Sequence, residues 1–142
     1  MARRLSVSEA VSQASMELGI AQAPISNVVN SQDQDVIQMR SLLYAVADEL
    51  LLDEPYKTSL GDGAWLASNG NQGAPTDVIA SDADLIQFDG RLTVVGLKWR
   101  FLKAKSLEFG EDLRDFTSRL NKIAARMNGE VLDLYEMEGR EV

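Results

Sequence analysis

Three pairs of closely spaced carboxylates are the residues of this sequence that could carry chemistry. They are Asp33 with Asp35, Asp82 with Asp84, and Glu111 with Asp112. Such pairs can act as general acid and base or hold a magnesium ion, which would describe a metal-dependent carboxylate enzyme. Each pair also lies where a helix is predicted to start, and the helix dipole favours negative side chains in a first turn. We therefore interpret the pairs as structural.

Histidine and cysteine are both absent from the 142 residues. Their absence excludes disulfides, thiolate and histidine metal sites, cysteine nucleophiles and histidine-based triads. The glycine-rich stretch contains neither GxxxxGK[ST] nor GxGxxG, and it lacks the spacing of a calcium-binding loop. The sequence therefore predicts a protein that is not an enzyme, with no catalytic residue, cofactor or metal ion.

One short segment concentrates positive charge in a chain whose net charge is -8. Its basic residues alternate with Trp99 and Phe101 and are Arg91, Lys98, Arg100, Lys103 and Lys105. This pattern could contact DNA, although the net charge opposes general binding to phosphates. Arg91, Lys98 and Lys105 are seven residues apart, so they share a helix face that could be solvated or could pair with acidic residues. We predict that this segment, together with Trp65, contacts another subunit or a partner.

The composition indicates one soluble, folded domain. Hydrophobic residues make up 45% of the chain and charged residues 25%, as is usual for globular proteins. Arg3 and Arg4 near the N-terminus are not followed by an apolar run long enough for a signal peptide, and no segment is apolar enough to span a membrane. We expect a protein made in the cytosol, which stays there or leaves inside an assembly.

Four helices are predicted from apolar residues at helical spacing. The first has a Ser6-to-Glu9 capping box and stops at Gly19, and the second begins between Ser31 and Asp33. The third begins between Ser81 and Phe88 and reaches Leu102, with an apolar surface wide enough for a central position. The fourth begins near Gly110 and ends at Asn128-Gly129. The predicted fold is all-α, a small bundle of about four helices.

Two irregular segments complete the predicted organisation. Residues 61–77 form a long glycine-rich loop, in which Trp65-Leu66-Ala67 could make one short strand. Residues 130–142 form an extended C-terminal tail, separate from a helical domain at 1–129. We expect this tail to dock on a neighbouring chain, with charge selecting the partner and apolar side chains giving affinity. Those side chains are Val131, Leu132, Leu134, Tyr135 and Met137.

The order of these elements resembles the head-to-tail adaptor proteins of tailed bacteriophages, a family that includes the head-completion or tail accessory proteins of short-tailed phages. The resemblance covers most of the chain. It begins with the first helix, Leu18-Gly19-Ile20, the loop at Pro24-Ile25-Ser26, and the residues from Ser31 to Val36 that lead into Met39 and Leu43. It continues with the segment from Gly96 to Lys105, followed by Phe116 and Leu120.

The resemblance implies a structural virion protein at the head–tail junction. Members of this family form a twelvefold ring beneath the portal protein, grip the portal with an extended C-terminus, and lengthen the DNA channel toward the tail or nozzle protein. Residues 130–142 would then dock on the portal, and 61–77 would lie on the tail-facing side or between neighbours. Genomic DNA would pass without specific binding. A DNA-packaging protein resembling a terminase small subunit remains the alternative, suggested by the helices and the basic segment.

Overall fold

A computed structural model describes residues 4–25, 27–68 and 74–140 of the chain, with side chains described only as far as residue 126. Within these ranges the protein is mostly helical, at 56% helix. The helices are α1 (Val7–Glu17), α2 (Gln34–Leu50), α3 (Tyr56–Ser59), α4 (Gly90–Ala104) and α5 (Gly110–Arg140). The strands are β1 (Leu66–Ala67), β2 (Pro75–Thr76) and β3 (Leu85–Ile86).

The first two predicted helices are confirmed. Ser6 and Glu9 form the expected reciprocal capping box at the start of α1, and Gly19 takes a positive φ of 80° just after its end. Asp33 caps α2 by accepting hydrogen bonds from two backbone N–H groups of its first turn. The whole apolar stripe of α2 is buried, from Val36 to Leu50.

Helix α4 forms the centre of the bundle, as its wide apolar surface predicts. It packs against α1, α2 and α5, and its buried residues cover most of the helix surface apart from the face that carries Arg91 and Lys98. Gly96 lies at a close approach of α4 to α2 and α5, because a Cβ atom there would come within 2.9 Å of Phe116 Cε1 and 3.1 Å of Val46 Cγ1. The glycine therefore does not break the helix and instead permits close packing.

The prediction of an all-α fold is confirmed only in part, because the mostly helical chain also contains a small antiparallel sheet. Its strand order is β2-β1-β3, and Ser6 adds an isolated antiparallel bridge to Leu85. Only the possible strand at Trp65-Leu66-Ala67 was visible in the sequence, and β1 confirms it. Each strand is two residues long, which is too short to show the alternation that identifies strands. Residues 69–73 of the predicted loop lie outside the described part of the chain.

The start of the third predicted helix is also wrong. Helix α4 begins at Gly90, and Asp89 is its cap, with its carboxylate accepting a hydrogen bond from Leu92 N–H at 2.9 Å. The earlier candidates Ser81 to Asp84 belong instead to a turn that precedes β3. An aspartate that can cap a helix can equally well hold a turn, so residue type alone did not distinguish the two.

The C-terminal segment is helical and not extended. Helix α5 begins at Gly110 as predicted, but it continues through Asn128 and Gly129 to Arg140. A glycine inside a helix costs only about 1 kcal/mol relative to alanine, and the following residues are mostly good helix formers. The predicted boundary between a domain at 1–129 and a tail at 130–142 therefore has no break in secondary structure up to residue 140.

Candidate interaction surface

Most basic residues of α4 and of its C-terminal cap, Lys105, pair with acidic residues of the same chain. Lys98 Nζ lies 3.1 Å from Glu17 Oε1 and 3.5 Å from Asp112 Oδ1, and Arg91 also binds Glu17. Arg100 Nη2 lies 2.8 Å from Glu49 Oε1. These pairs connect α4 to α1, α2 and α5. Of the alternatives that the sequence left open for this segment, pairing with acidic residues is the one the structure contains.

Glu17 is the shared partner of two of these cations. It lies at the C-terminal end of α1, where the helix dipole disfavours a negative charge. Burial tends to raise its pKa, but hydrogen bonds from Arg91, Lys98 and Gln13 outweigh burial and lower the pKa from 4.5 to about 2. The carboxylate is therefore held in its charged form by the packing of α1 against α4.

Replacing Glu17 with glutamine should reduce stability in a pH-dependent way. Because the pKa is lower in the folded state, the contribution of Glu17 is fully present above pH 4.5 and is lost as pH falls toward 2. We expect E17Q to lower the free energy of unfolding by about 1 kcal/mol near pH 6, as for a partly exposed ion pair. Urea unfolding of the wild type and E17Q at pH 6 and at pH 2 measures this difference. An equal effect of E17Q at pH 6 and at pH 2 would contradict the assignment.

Arg100 and Lys103 also lie over the ring of Trp99, and Lys105 lies at the edge of ion-pair distance. The Arg100 guanidinium is 4.7 Å from the centroid of Trp99, and Lys103 Nζ is 5.8 Å from the same centroid. Trp99 packs in turn against Phe109 and Phe116. Lys105 Nζ lies 4.0 Å from Asp35 Oδ1. Lys103 and Lys105 are exposed and are the members of this segment most accessible to another molecule.

Trp65 lies in the core, although its sequence context predicted a contact with a partner. Its side chain is 2% exposed. Its ring stacks on Phe88 at a centroid distance of 5.9 Å and meets the edge of Tyr44 at 5.8 Å. The glycine-rich surroundings made Trp65 resemble a loop residue, whereas it lies directly before β1 with its side chain in the core.

The carboxylates of Asp82 and Asp84 have structural roles in this fold. Asp82 Oδ1 accepts hydrogen bonds from the N–H groups of Val28 and Val29, which lie more than fifty residues earlier. Asp84 is 1% exposed, and its Oδ2 accepts from the N–H groups of Ala80 and Ser81. Among the described side chains, no group of three or more acidic residues is arranged to hold a metal ion.

The predicted docking residues belong to the last three turns of α5. Their backbone is helical, but their side chains lie outside the described part of the structure. The residues concerned are Val131, Leu132, Leu134, Tyr135 and Met137. Their role in docking therefore stays a prediction.

Two surface depressions beside α1 were not predicted from the sequence. A groove of about 440 Å³ runs along α1 and is lined in part by Leu5, Met16 and Pro24. A second pocket, of about 300 Å³, lies between the end of α1 and the start of α2. Both depend on how the loop after α1 folds back over the helices. The sequence showed only a proline-containing loop with some buried apolar residues, which carries no signal for a pocket.

No protein-family model, curated protein or solved structure matches this chain. Within the described residues, no helix combines the length and apolar character needed to cross a membrane.

Proposed function

We propose that this chain is a head-to-tail adaptor of a tailed bacteriophage, a structural subunit without enzymatic activity. Copies of the chain form a ring, twelvefold by resemblance, beneath the portal protein. The ring extends the DNA channel and provides the attachment site for the tail or nozzle protein. The chain is made in the host cytoplasm and ends in the virion at the head–tail junction.

The observation that carries the proposal is the length of α5 relative to the bundle. Its 31 residues correspond to about 46 Å, roughly twice the length of α4. The last buried side chain described on it is Leu120, and twenty helical residues follow. A helix that continues so far past its described core contacts, with apolar residues in its sequence, is suited to bind a neighbouring protein.

The distribution of charge supports an adaptor over a DNA-packaging protein. The net charge is -8, and Arg91, Lys98 and Arg100 already pair with carboxylates of their own chain. Tight DNA binding depends on basic residues that are free to replace counterions on phosphates. A channel wall with few free cations allows DNA to slide. Specific DNA binding with a steep salt dependence in a gel-shift titration would favour the packaging alternative.

Deleting residues 130–142 should abolish attachment to the portal while leaving the bundle folded. Every buried side chain among the described residues precedes residue 121, so we expect the bundle to fold without the deleted segment. We expect circular dichroism to show cooperative unfolding of the truncated chain. Electron microscopy of the chain mixed with portal rings of the phage that encodes it should show attachment of the full-length protein only.

A full-length L52S variant is the matched control for this experiment. Leu52 is 77% exposed and lies beyond α2, so its replacement removes a surface apolar side chain without touching α5. We expect L52S to attach normally. Normal attachment of the truncated chain would contradict portal docking by residues 130–142. Loss of attachment in L52S would show that the assay reports non-specific association through exposed apolar side chains.

A further inference from the structure

The charges of α5 are separated along its length. Between Phe116 and Gly129 the helix contains three cations and no acidic residue, whereas from Glu130 to Glu141 the chain has five acidic residues and one arginine. The three cations are Arg119, Lys122 and Arg126. Like charges four residues apart repel each other on a helix, so this separation opposes helix stability within one chain. It favours a contact in which another molecule supplies the opposite charge.

The side of α5 that carries these cations faces away from the bundle. Phe116 and Leu120 are buried where α5 packs on α4, whereas Ser118, Asn121 and Lys122 lie on the other side of the helix and are exposed. A shallow depression of about 450 Å³ on this side is lined by Arg114, Thr117, Ser118, Asn121, Lys122 and Ala125. Another molecule can therefore reach this surface without disturbing the core.

Two of the three cations have no acidic partner among the described side chains. Arg119 Nε lies 3.0 Å from Asp115 Oδ1, which neutralises that charge. Lys122 and Arg126 form no ion pair with a described residue, and both are exposed. They are also four residues apart, so each raises the energy of the other. An acidic group from outside the bundle would remove this repulsion.

The acidic end of the same chain cannot supply that group to Lys122. The backbone of α5 is helical from Gly110 to Arg140, and a helix rises about 1.5 Å per residue. Lys122 and Glu136 are therefore about 21 Å apart along the axis, farther than two extended side chains can bridge. Of the five acidic residues, only Glu130 lies within one turn of any of the three cations. Lys122 thus needs an acidic residue of a second molecule.

A second copy of this chain fits the basic side of α5 better than nucleic acid does. The net charge of the chain is -8, so a long polyanion is repelled by most of the surface that it approaches. A second copy instead offers a short acidic segment, residues 130–142, which is about as long as the basic one. Charge complementarity therefore favours pairing between copies.

Antiparallel packing of two α5 helices places opposite charges together. With the two copies crossing at Gly129, Lys122 of each copy lies opposite Glu136 of the other. Asp133 and Glu136 follow Lys122 by eleven and fourteen residues, about three and four turns, so the helical backbone places all three on one side. Ala125 and Gly129 lie on this side as well and are small, which lets the helix axes approach closely. Parallel packing in register would instead place like charges together.

We propose that the basic side of α5 binds residues 130–142 of a second copy of this chain, in an antiparallel pair of α5 helices. The bundle does not obstruct this pair, because it packs on the opposite side of α5. The contact is isologous, so it closes at two copies and is distinct from the contact that forms a ring. One consequence rests on the proposed function: the pair occupies residues 130–142, so docking on a portal competes with it.

Sedimentation equilibrium of the full-length chain at low salt tests the proposal. We expect a monomer–dimer equilibrium that weakens as added salt screens the charges. K122E and E136K should each raise the dimer Kd about tenfold, because every dimer contains the altered contact twice. An equimolar mixture of the two variants should dimerise as well as the wild type, since each altered contact then joins opposite charges. A wild-type chain that stays monomeric up to about 1 mM would overturn the proposal.

Two variants control for the change in net charge. K57E and D48K reverse exposed charges on α3 and α2, away from α5, and should leave the dimer Kd within about twofold of the wild type. Circular dichroism should show that all four variants are folded, as expected for exposed positions. Equal weakening by K57E and K122E would overturn the proposal. So would a mixture of K122E and E136K that dimerises no better than either variant alone.

Single cysteines test the antiparallel register, because the chain has no cysteine of its own. Residue 129 of one copy meets residue 129 of the other, so G129C should form a disulfide-linked dimer under mild oxidation. Ser118 is exposed on the same side of α5, but its two copies are about 33 Å apart in this pair, so S118C should remain monomeric. Linkage of S118C as fast as that of G129C, or of neither variant, would overturn the antiparallel pair.

Gel shift of a short DNA duplex tests the other class of partner. We expect no shift of the duplex at the protein concentrations that give the dimer. A shift that K122E weakens, with sedimentation unchanged by K122E, would assign the basic side to nucleic acid and overturn the pairing of copies. None of these measurements uses a portal, so their failure is distinguishable from failure of portal attachment.

Discussion

Replacing Trp65 with alanine should lower the free energy of unfolding by about 3–5 kcal/mol. The ring is buried between Phe88 and Tyr44, and the Trp65 carbonyl accepts a hydrogen bond from Gln87 N–H at 2.9 Å. Removing the ring leaves a cavity where the sheet meets the helices. Because domains are typically stable by about 5–15 kcal/mol, this loss should be visible as a large shift in the denaturation midpoint.

Two variants make the Trp65 experiment decisive. W65F retains most of the buried aromatic surface and should cost clearly less than W65A. L52A changes a side chain that is 77% exposed and should change stability by less than about 0.5 kcal/mol. A W65A cost as small as that of L52A would contradict the core position and would restore Trp65 as a candidate for partner contact.

Gly96 should tolerate no larger side chain without a loss of stability. A Cβ atom at this position would lie 2.9 Å from Phe116 Cε1 and 3.1 Å from Val46 Cγ1, closer than atoms pack without movement. In G96A this crowding opposes the gain of about 1 kcal/mol in helix propensity, so a net destabilisation of about 1 kcal/mol is expected. G96L should cost about 3 kcal/mol, at the upper end for overpacked cores. Urea unfolding measures both.

A double-mutant cycle identifies the source of the Gly96 effect. Phe116 provides the closest atom, so F116L should make room for the added methyl group. G96A should then cost less in the F116L background than alone, with a coupling of about 0.5–3 kcal/mol. Strictly additive effects would indicate that crowding between α4 and α5 does not limit residue 96.

The parts of the fold that the sequence predicted are those encoded by local patterns. The Ser6–Glu9 capping box and the stripe from Val36 to Leu50 are complete within one helix each, and both are present as expected. The sheet is different, because its pairs join residues far apart in the chain, such as Ser6 with Leu85. Strands of two residues are selected by such distant contacts and not by their own periodicity.

Single aspartate side chains also show that local sequence does not predict contacts between distant residues. Asp33 caps a helix as its position predicts, whereas Asp82 reaches the backbone of Val28 and Val29 across the fold. Two tyrosine hydroxyls act similarly, since Tyr44 accepts from Ile79 N–H and Tyr56 from Asp89 N–H. A sequence identifies a group that can accept a hydrogen bond, but the fold decides which donor it meets.

The ion pairs of the basic segment in α4 were likewise only partly predictable from the sequence. The spacing of Arg91, Lys98 and Lys105 predicted a shared helix face and left its acidic partners unspecified. Glu17 became the partner of Arg91 across 74 residues of sequence, which no local pattern encodes. The pocket between α1 and α2 was not predicted, because it exists only where a loop folds over two helix ends.

Most of the contacts that hold α1 in place come from residues synthesised much later. Its first turn binds the carbonyl groups of Asp84 and Asp82, and Glu17 binds Arg91 and Lys98. At 5–20 residues per second, the ribosome needs about 4–16 seconds to make the roughly eighty residues that separate these partners. During that time the surface of α4 on which α1 packs is not yet available, and α1 has only the following loop and α2 as packing partners. The nascent chain therefore exposes apolar surface of α1 until α4 emerges, and such surface is what chaperones bind.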